Sequence, residues 1–360
     1  MSNATDASGV RPIRFGLIGC GLLGVVHAER LTAIPGVTVA AVTDPAESAM
    51  DNTIAASKNP EGSPAIARFA DYHEMLKEAE LDAVCISSPN PWHVEQILAS
   101  LEAGLDVLCE KPLSMEPAQV QRVIDATKAS GRKVMVGYQS RYRRDNRILR
   151  RCIQSGKWGK VTSISVFTCE DWITPNVGTW RHDPSRCPGG FFADANGHQI
   201  DLLFWLTGMQ PDWVRATMQN RGTPNPMVIW GESRLSTPGQ PNPEFAPDGI
   251  PFTFMFAGHA RHWSEEIRIQ TEGADFILHD TKLFWADGAK QEAPFPDELV
   301  HPDDAINDTP DTAFIKVLRE GAVIASEPHT VWPVLQFTLA GLASAASGQP
   351  EICVPASGNA

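Results

Sequence analysis

An alternation of apolar strands and amphipathic helices between Ile13 and Gly137 constrains the fold of this chain more than any other feature. The apolar runs in this region are RFGLIG, VTVAAVTD, LDAVCISS, LDVLCE and KVMVG, and helix-like segments such as LLGVVHAERLTAI separate them. Strands that are apolar on both faces are typical of parallel sheets covered by helices. We therefore predict an α/β domain with a doubly wound parallel sheet over residues 13–137.

The first of these strands ends in a glycine-rich turn that directly opens a helical segment. Such a turn aims backbone N–H groups and the positive end of the helix at a phosphate. The next strand ends at Asp44, 20 residues after Gly24, where a carboxylate that binds a ribose hydroxyl belongs. Together these features predict a dinucleotide site formed by Gly19, Gly21, Leu22, Leu23, Gly24 and Asp44. Asp44 would repel a 2′-phosphate, so NAD is favoured over NADP.

After Gly137 the pattern changes to strands that follow one another without helices between them. The strand-like runs are KVTSISVFT, DWVRATMQ, PFTFMFAG, EEIRIQTEG, ADFILHD and KLFWADG. Grouped strands predict a second, α+β domain with a large, mostly antiparallel sheet over residues 138–360, whose C-terminal helix could pack back on the first domain. Residues 1–12 are expected to form a disordered tail, and the proline-rich segment 236–251 a surface loop.

Composition excludes several classes of function. A formal net charge of −13 offers no basic surface for nucleic acid. No apolar stretch reaches the roughly 18 residues that a membrane helix needs, and no export signal precedes the first strand. The seven cysteines form no CxxC pair, which favours reduced thiols. We expect a cytoplasmic protein that binds a small molecule and neither nucleic acid nor a membrane.

Two loops follow later strands of the parallel sheet, SSPNPWH from Ser87 to His93 and CEKPLS from Cys109 to Ser114. Ligands of open α/β sheets bind beyond the carboxyl ends of the strands, so both loops should border the nicotinamide. The ammonium of Lys111 could point at a reacting oxygen and favour its alkoxide character.

With EKP in this position, the chain resembles the family of glucose-fructose oxidoreductase, inositol dehydrogenase and the rhizopine-catabolism proteins (Gfo/Idh/MocA). The resemblance covers nearly all of residues 14–347 and rests on GCGLLG, SSPNPWH, AGLDVLCEKPLS, VGYQSRY and WRHDPSRCPGGFFADANGHQID. It implies an N-terminal Rossmann domain and a C-terminal domain that binds substrate and forms a homodimer or homotetramer.

The resemblance also implies a catalytic trio. The family's lysine in EKP falls on Lys111, and its aspartate and histidine in D-x-x-x-H fall on Asp194 and His198, whose spacing would place them on one face of a helix. His198 would take the hydroxyl proton, Asp194 would orient the imidazole, and Lys111 would favour the alkoxide while a hydride leaves for the nicotinamide. The chain departs from the family at Pro188 and Asn196, where glycine is common.

Strand ends and the resemblance together indicate further site residues. The additional cofactor contacts are Ser87, Ser88, Pro89, Asn90, His93, Glu110, Lys111 and Gln139. The additional substrate contacts are Tyr138, Arg141, Trp180 and Arg181. His93 could instead pack the helix that follows it, and Trp180 could belong to the core. No metal site is predicted, because neither an HExxH motif nor a cysteine cluster accompanies Asp194 and His198.

These residues predict an NAD-dependent oxidoreductase that transfers a hydride between the nicotinamide and a secondary hydroxyl of a sugar, inositol or related polyol or glycoside. Two alternatives stay open. One is an NAD-dependent glycoside hydrolase that works through transient oxidation and elimination, and the other is a non-catalytic sensor of a nucleotide or sugar.

Overall fold

The computed structural model describes residues 11–237, 249–286, 290–292, 296–305 and 307–354. The chain divides into two compact units, the first made of Met1–Gly137 with Asp308–Thr330 and the second of Tyr138–Asn307 with Val331–Ala360. Most of the predicted tail (1–12) and of the predicted proline-rich loop (236–251) lies outside the described residues. Among the helices of the described segments, none is long and apolar enough to cross a membrane.

The first unit contains a six-stranded parallel sheet, which confirms the predicted doubly wound architecture. Its strands are β1 (Ile13–Ile18), β2 (Val37–Thr43), β3 (Ala67–Phe69), β4 (Ala83–Ile86), β5 (Asp106–Cys109) and β6 (Val134–Val136). They lie in the order β3-β2-β1-β4-β5-β6 with parallel ladders throughout. The order reverses between β1 and β4, so a ligand crevice is expected beyond the carboxyl ends of these two strands.

Helices connect the strands of this sheet. They are α1 (Leu22–Thr32), α2 (Glu47–Ala56), α3 (Tyr72–Glu78), α4 (His93–Glu102) and α5 (Pro117–Ser130). All four residues of β4 are completely buried, as expected for a strand with helices on both faces. α5 shows how local sequence sets an element's limits, because Pro117 occupies its first turn and Gly131 ends it in the left-handed conformation (φ 66°).

The second unit contains a nine-stranded sheet that is mostly antiparallel, also as predicted. Its strands are β7 (Val161–Asp171), β8 (Gln210–Gln219), β9 (Val228–Ser236), β10 (Ile250–Ala257), β11 (His259–Thr271), β12 (Asp275–His279), β13 (Lys282–Ala286), β14 (Lys290–Glu292) and β15 (Glu351–Ile352). The order is β14-β13-β12-β11-β7-β10-β9-β8-β15. β10 runs parallel to β7, and the other described pairs are antiparallel. The helices before the last part of the chain are α6 (Arg144–Gln154), α7 (Ile173–Asn176), α8 (Gly190–Ala193) and α9 (Gly197–Thr207).

The C-terminal part of the chain contributes to both units. α10 (Pro310–Glu320) belongs to the first unit and packs against α1 and β5. In the same unit the N–H of Val136 on β6 donates to the carbonyl of Ser326 at 2.9 Å. α11 (Trp332–Ser347) belongs to the second unit and packs against β8 and α9. The observed division therefore differs from the predicted one at residues 308–330, which belong to the first unit.

Aromatic side chains from β10 fill the core of the second unit. Because side chains alternate along a strand, Phe252, Phe254 and Phe256 share one face of the sheet. The ring centroids of Phe252 and Phe254 lie 5.4 and 5.1 Å from that of Phe337 on α11, and Phe256 lies 5.9 Å from Phe192 on α8. Helices therefore cover this face of the sheet and exclude water from it.

The opposite face carries a row of apolar side chains. Trp230 on β9, Met255 on β10 and Phe167 on β7 are cross-strand neighbours in register. Their exposed fractions are 37%, 44% and 38%, which is high for large apolar residues at the middle of a sheet.

Candidate functional site

The fold itself requires two glycines of the turn between β1 and α1. Gly19 has a φ of +90°, and a Cβ built on it would lie 2.5 Å from the backbone nitrogen of Ser88. A Cβ on Gly24 would lie 2.4 Å from the carbonyl oxygen of Gly19, so helix α1 packs directly on the turn. Neither position accommodates a side chain without movement of the backbone.

Gly21 is different, because nothing in the chain requires a glycine there. Its φ of −70° suits any residue, and an added Cβ would meet no atom of the described residues within 4 Å. Gly21 is the N-cap of α1, makes no side-chain cap, and precedes a first turn without acidic residues. The first amides of a helix have no partner within the helix and carry partial positive charge. The open space at Gly21 therefore fits the pyrophosphate of a dinucleotide.

Asp44 is held beside this turn at the end of β2. Its Oδ2 accepts a hydrogen bond from the N–H of Cys20, and its Oδ1 accepts one from the N–H of Ala46, both at 2.8 Å. Because each carboxylate oxygen has two lone pairs, this arrangement leaves acceptor capacity for a ribose hydroxyl. The carboxylate that the sequence predicts to bind a ribose hydroxyl therefore lies beside the glycine turn.

The loop after β4 lies next to the glycine turn. Ser87 Oγ donates to the carbonyl of Gly19 at 2.8 Å, and Ser88 Oγ donates to Gln96 Oε1 at 2.6 Å. Pro89 precedes a short 3-10 turn that begins at Asn90. The structure thus brings the first part of the predicted cofactor loop to the glycine turn at the reversal point of the sheet.

His93 is packed inside the first unit. Its Nδ1 lies 2.9 Å from the carbonyl oxygen of Pro112, and its Nε2 lies 2.9 Å from that of Ser88. Burial lowers the pKa of His93. With both ring nitrogens directed at the backbone, the geometry favours the packing role over a ribose contact.

Glu110 and Lys111 follow β5. The carboxylate of Glu110 is directed at the protein interior, with Oε1 3.2 Å from His27 Nε2 and Oε2 accepting the backbone N–H of Lys111 at 3.3 Å. The Lys111–Pro112 peptide bond is cis. Glu110, which the sequence predicts to contact the cofactor, therefore also has two partners within the chain.

In the second unit, Asp194 and His198 do not share a helix. Asp194 ends α8, His198 lies in the first turn of α9, and a turn connects the two helices. In this turn the buried side chain of Asn196 donates through Nδ2 to the carbonyl of Phe191 at 2.8 Å, and the N–H of His198 donates to Ala195 at 3.3 Å. The prediction that both residues lie on one face of one helix is wrong, because this turn interrupts the helix between them.

Other predicted residues of the second unit surround this pair. Arg181 Nε donates to Asp194 Oδ2 at 2.8 Å, and the guanidinium of Arg181 lies 4.5 Å from the ring centroid of Trp180. The rings of Tyr138 and His198 meet edge to face at 6.5 Å. The structure therefore brings Trp180 and Arg181 to Asp194, and Tyr138 to His198.

Arg141, a predicted substrate contact, forms an ion pair with a buried carboxylate. Its Nε donates to Asp201 Oδ2 at 2.8 Å, and its Nη2 donates to the other carboxylate oxygen. Both side chains are buried, and the guanidinium also lies over the ring of Tyr138 at 5.3 Å. This pair connects the segment after β6 to α9. Gln139, in the same segment, is exposed.

Gln199, the residue after His198, belongs to a group of polar side chains that no sequence motif indicates. Gln199 donates through Nε2 to Glu265 Oε2, and Arg143 Nη1 lies 4.0 Å from Glu265 Oε1. Burial raises the pKa of the Glu265 carboxyl. Thr168 is the cross-strand partner of Glu265. The pairing of β7 with β11 places Thr168 beside Glu265, while Gln199 reaches the Glu265 carboxylate from α9 and Arg143 from the start of α6. Within the described residues, no group of three or more His, Cys, Asp or Glu side chains is arranged to hold a metal.

Comparison with protein families identifies both parts of the chain. Residues 13–138 match the GFO_IDH_MocA model, described as an oxidoreductase family with an NAD-binding Rossmann fold, and residues 146–246 match the GFO/IDH/MocA C-terminal domain. The chain belongs to the GFO/IDH/MocA family. The family match to the first unit includes the glycine turn, Asp44 and the EKP segment.

Among curated relatives, this GFO/IDH/MocA chain is 30% identical over 207 residues to myo-inositol 2-dehydrogenase of Thermotoga maritima. It is 29% identical over 198 residues to the rhizopine catabolism protein MocA of Rhizobium meliloti. The matched segments cover 57% and 55% of this chain and 58% of each relative, so the chain spans little more than half the length of the relatives that it matches.

Among solved structures, the fold matches the WlbA dehydrogenase from Bordetella pertussis in complex with NADH and UDP-GlcNAcA. The TM-score is 0.76, and the match covers 98% of this chain and 99% of that one at 21% identity. The likeness shows that the two proteins share a fold.

Proposed function

We propose that this chain is an NAD-dependent oxidoreductase that transfers a hydride between a secondary hydroxyl of a sugar, inositol or related polyol and the nicotinamide. The observation that carries the proposal is the open space at Gly21, which lies at the N-terminus of α1 where the sheet order reverses. Family membership and relatives named as inositol dehydrogenases support the same function.

NAD is the proposed cofactor because Asp44 stands at the end of β2. Its carboxylate would accept a hydrogen bond from a 2′-hydroxyl and repel a 2′-phosphate. The residues that follow, Pro45 to Ser48, include no cation that could offset this repulsion. Gly21, Leu22 and Leu23 would hold the pyrophosphate, and Ser87 to Asn90 would border the nicotinamide.

We assign the acid–base chemistry to Lys111, Asp194 and His198. The nicotinamide, when bound, supplies the hydride acceptor. His198 would accept the proton of the reacting hydroxyl, Asp194 would stabilise the resulting imidazolium, and the ammonium of Lys111 would stabilise the developing alkoxide. Trp180 and Arg181, which contact each other beside Asp194, would bind the substrate hydroxyls.

A homodimer or homotetramer is part of the same proposal. The apolar row of Trp230, Met255 and Phe167 would be covered by the same row of a second copy, since large exposed apolar patches mark interaction surfaces. Met255→Asp should lower the molar mass measured by sedimentation velocity. An unchanged mass would show that another surface mediates assembly.

The experiment that tests the proposed activity is a panel of inositols, sugars, polyols and glycosides incubated with NAD and followed by NADH absorbance. Lys111→Ala should lower kcat by about 10²- to 10⁴-fold while NADH affinity stays within about threefold. Lys133→Ala, a charge-matched control on exposed residue 133, should leave kcat unchanged. Near-normal turnover in Lys111→Ala would refute the assigned role.

The same panel separates the alternatives. Release of the aglycone from a glycoside without net NADH formation would identify a hydrolase that works through transient oxidation. Binding of NAD without hydride transfer to any member of the panel would identify a sensor.

A further inference from the structure

A buried imidazole joins two carboxylates inside the first unit. His27 on α1 is 2% exposed, and its Nδ1 lies 2.7 Å from Oδ1 of Asp311 on α10. On the other side of the ring, Nε2 lies 3.2 Å from Glu110 Oε1 at the end of β5. Asp311 is completely buried, and Arg30 Nη1 lies 3.7 Å from its second oxygen. His27 therefore bridges three elements of the unit.

The hydrogen-bond pattern determines the charge of this ring. A carboxylate only accepts hydrogen bonds, so both ring nitrogens must donate and His27 is an imidazolium. Burial by itself lowers the pKa of His27, but the charge and the hydrogen bond of the Asp311 carboxylate favour the protonated ring, and the pKa lies well above its ordinary value. The cation is thus what holds two acidic side chains together in the interior.

Glu110 carries the effect of His27 to the next residue. One of its oxygens is bonded to the imidazolium, and the other accepts the backbone N–H of Lys111. A Cβ added at Gly137 would lie only 2.9 Å from Glu110 Oε1, so the backbone of Gly137 packs closely against the carboxylate. A movement of this carboxylate therefore displaces the backbone of Lys111.

We propose that His27 is a positioning residue for Lys111. By binding Asp311 and Glu110 at once, the imidazolium fixes the carboxylate that holds the Lys111 backbone, and with it the origin of the Lys111 side chain. This inference rests on the proposed function, in which Lys111 acts on the reacting oxygen. A displacement of about 1 Å at such a group costs roughly 10²-fold in rate.

The test is His27→Gln, whose amide is uncharged and has one nitrogen where the imidazolium has two on opposite sides of the ring. Hydrogen–deuterium exchange measured by mass spectrometry should show about tenfold faster exchange in a peptide that contains Glu110 and Lys111. A peptide from β2 (Val37–Thr43) is the control and should exchange at the wild-type rate. In turnover assays kcat should fall about 10²-fold, with the KM for NAD within threefold of wild type.

The two readouts separate failure of the positioning role from failure of the proposed function. Unchanged exchange at Lys111 would overturn the positioning role whether or not the protein transfers hydride. Faster exchange without any hydride transfer on the polyol panel would uphold the positioning role and refute the proposed function. If exchange in the β2 peptide accelerates as much as exchange in the peptide with Lys111, His27 stabilises the unit as a whole, and the positioning role is also overturned.

A second variant covers the case in which His27→Gln does not fold. Asp311→Asn keeps an acceptor oxygen for His27 Nδ1 and removes one negative charge. It should speed exchange at Lys111 in the same direction by a smaller factor, about twofold to fivefold. Wild-type exchange in folded Asp311→Asn would overturn the inference.

Discussion

Replacement of Gly21 by alanine separates the two reasons for which a glycine occurs in such a turn. The backbone at Gly21 is extended, and within the part of the chain that the structure describes the added methyl group meets no atom within 4 Å. Alanine at an N-cap costs about 0.5–1 kcal/mol relative to glycine, and the reduced freedom of the unfolded chain offsets about 0.4–1 kcal/mol. The free energy of unfolding should therefore change by less than about 1 kcal/mol.

The effect on cofactor binding should be much larger. The methyl group would occupy the space in front of the first amides of α1, where the pyrophosphate is proposed to bind. A hydrogen bond to a charged acceptor contributes about 1.5–3 kcal/mol, and each 1.4 kcal/mol is a factor of ten in affinity. Loss of one such bond predicts an NADH dissociation constant about 10- to 150-fold above that of the wild type.

Fluorescence titration with NADH and urea unfolding measure the two quantities on the same preparations. Gly24→Ala is the contrasting variant, because its Cβ would lie 2.4 Å from a backbone oxygen and should cost about 1–3 kcal/mol of stability. If Gly21→Ala binds NADH within about twofold of wild type, the space at Gly21 does not receive the pyrophosphate and the reasoning fails.

Three further predictions concern other parts of the two units. Asp44→Ala should raise the KM for NAD and reduce the preference for NAD over NADP in steady-state assays. An unchanged KM and an unchanged preference would show that another group holds the ribose. Arg141→Met leaves Asp201 buried without its cation and should lower the free energy of unfolding in urea by about 3–5 kcal/mol. Adding Asp201→Leu to that variant should recover most of the loss, and no recovery would show that the pair is not the cause. Because the pKa of His27 is raised in the folded chain, its contribution to stability is complete below the unfolded-state pKa of about 6.5 and is lost as the pH rises through the folded-state value. The stability difference between wild type and His27→Gln should therefore narrow at alkaline pH, and a constant difference would contradict the protonated bridge.

The sequence predicts the parallel sheet well, because the apolar runs of its buried strands are local features. β3 was missed because Ala67 and Arg68 are exposed at the edge of the sheet. β9 was missed for another reason, since Gly231 and Glu232 interrupt its apolar pattern. Hydrogen bonds to β8 and β10 on both sides stabilise β9, and those partners lie elsewhere in the chain.

The candidate site shows the same limit. The glycine turn and Asp44 could be located because a few neighbouring residues determine their geometry. His27 and Asp311 are 284 positions apart, and neither residue belongs to a motif from which the other could be predicted. The spacing of Asp194 and His198 also gave a wrong prediction. A spacing of four residues places two side chains on one helix face only if the helix is unbroken, and the spacing contains no information about the hydrogen bond that Asn196 makes.

Because residues 308–330 belong to the first unit, that unit cannot be complete when its N-terminal part has been synthesised. Ser326, which bonds to the edge strand at Val136, leaves the ribosome 190 residues later than its partner. At about 5–20 residues per second, that delay is roughly 10–40 s. For most of this interval the nascent N-terminal sheet lacks α10 and Asp311, and until its end β6 lacks its hydrogen bond with Ser326. The first unit is thus completed only after most of the second unit has been synthesised.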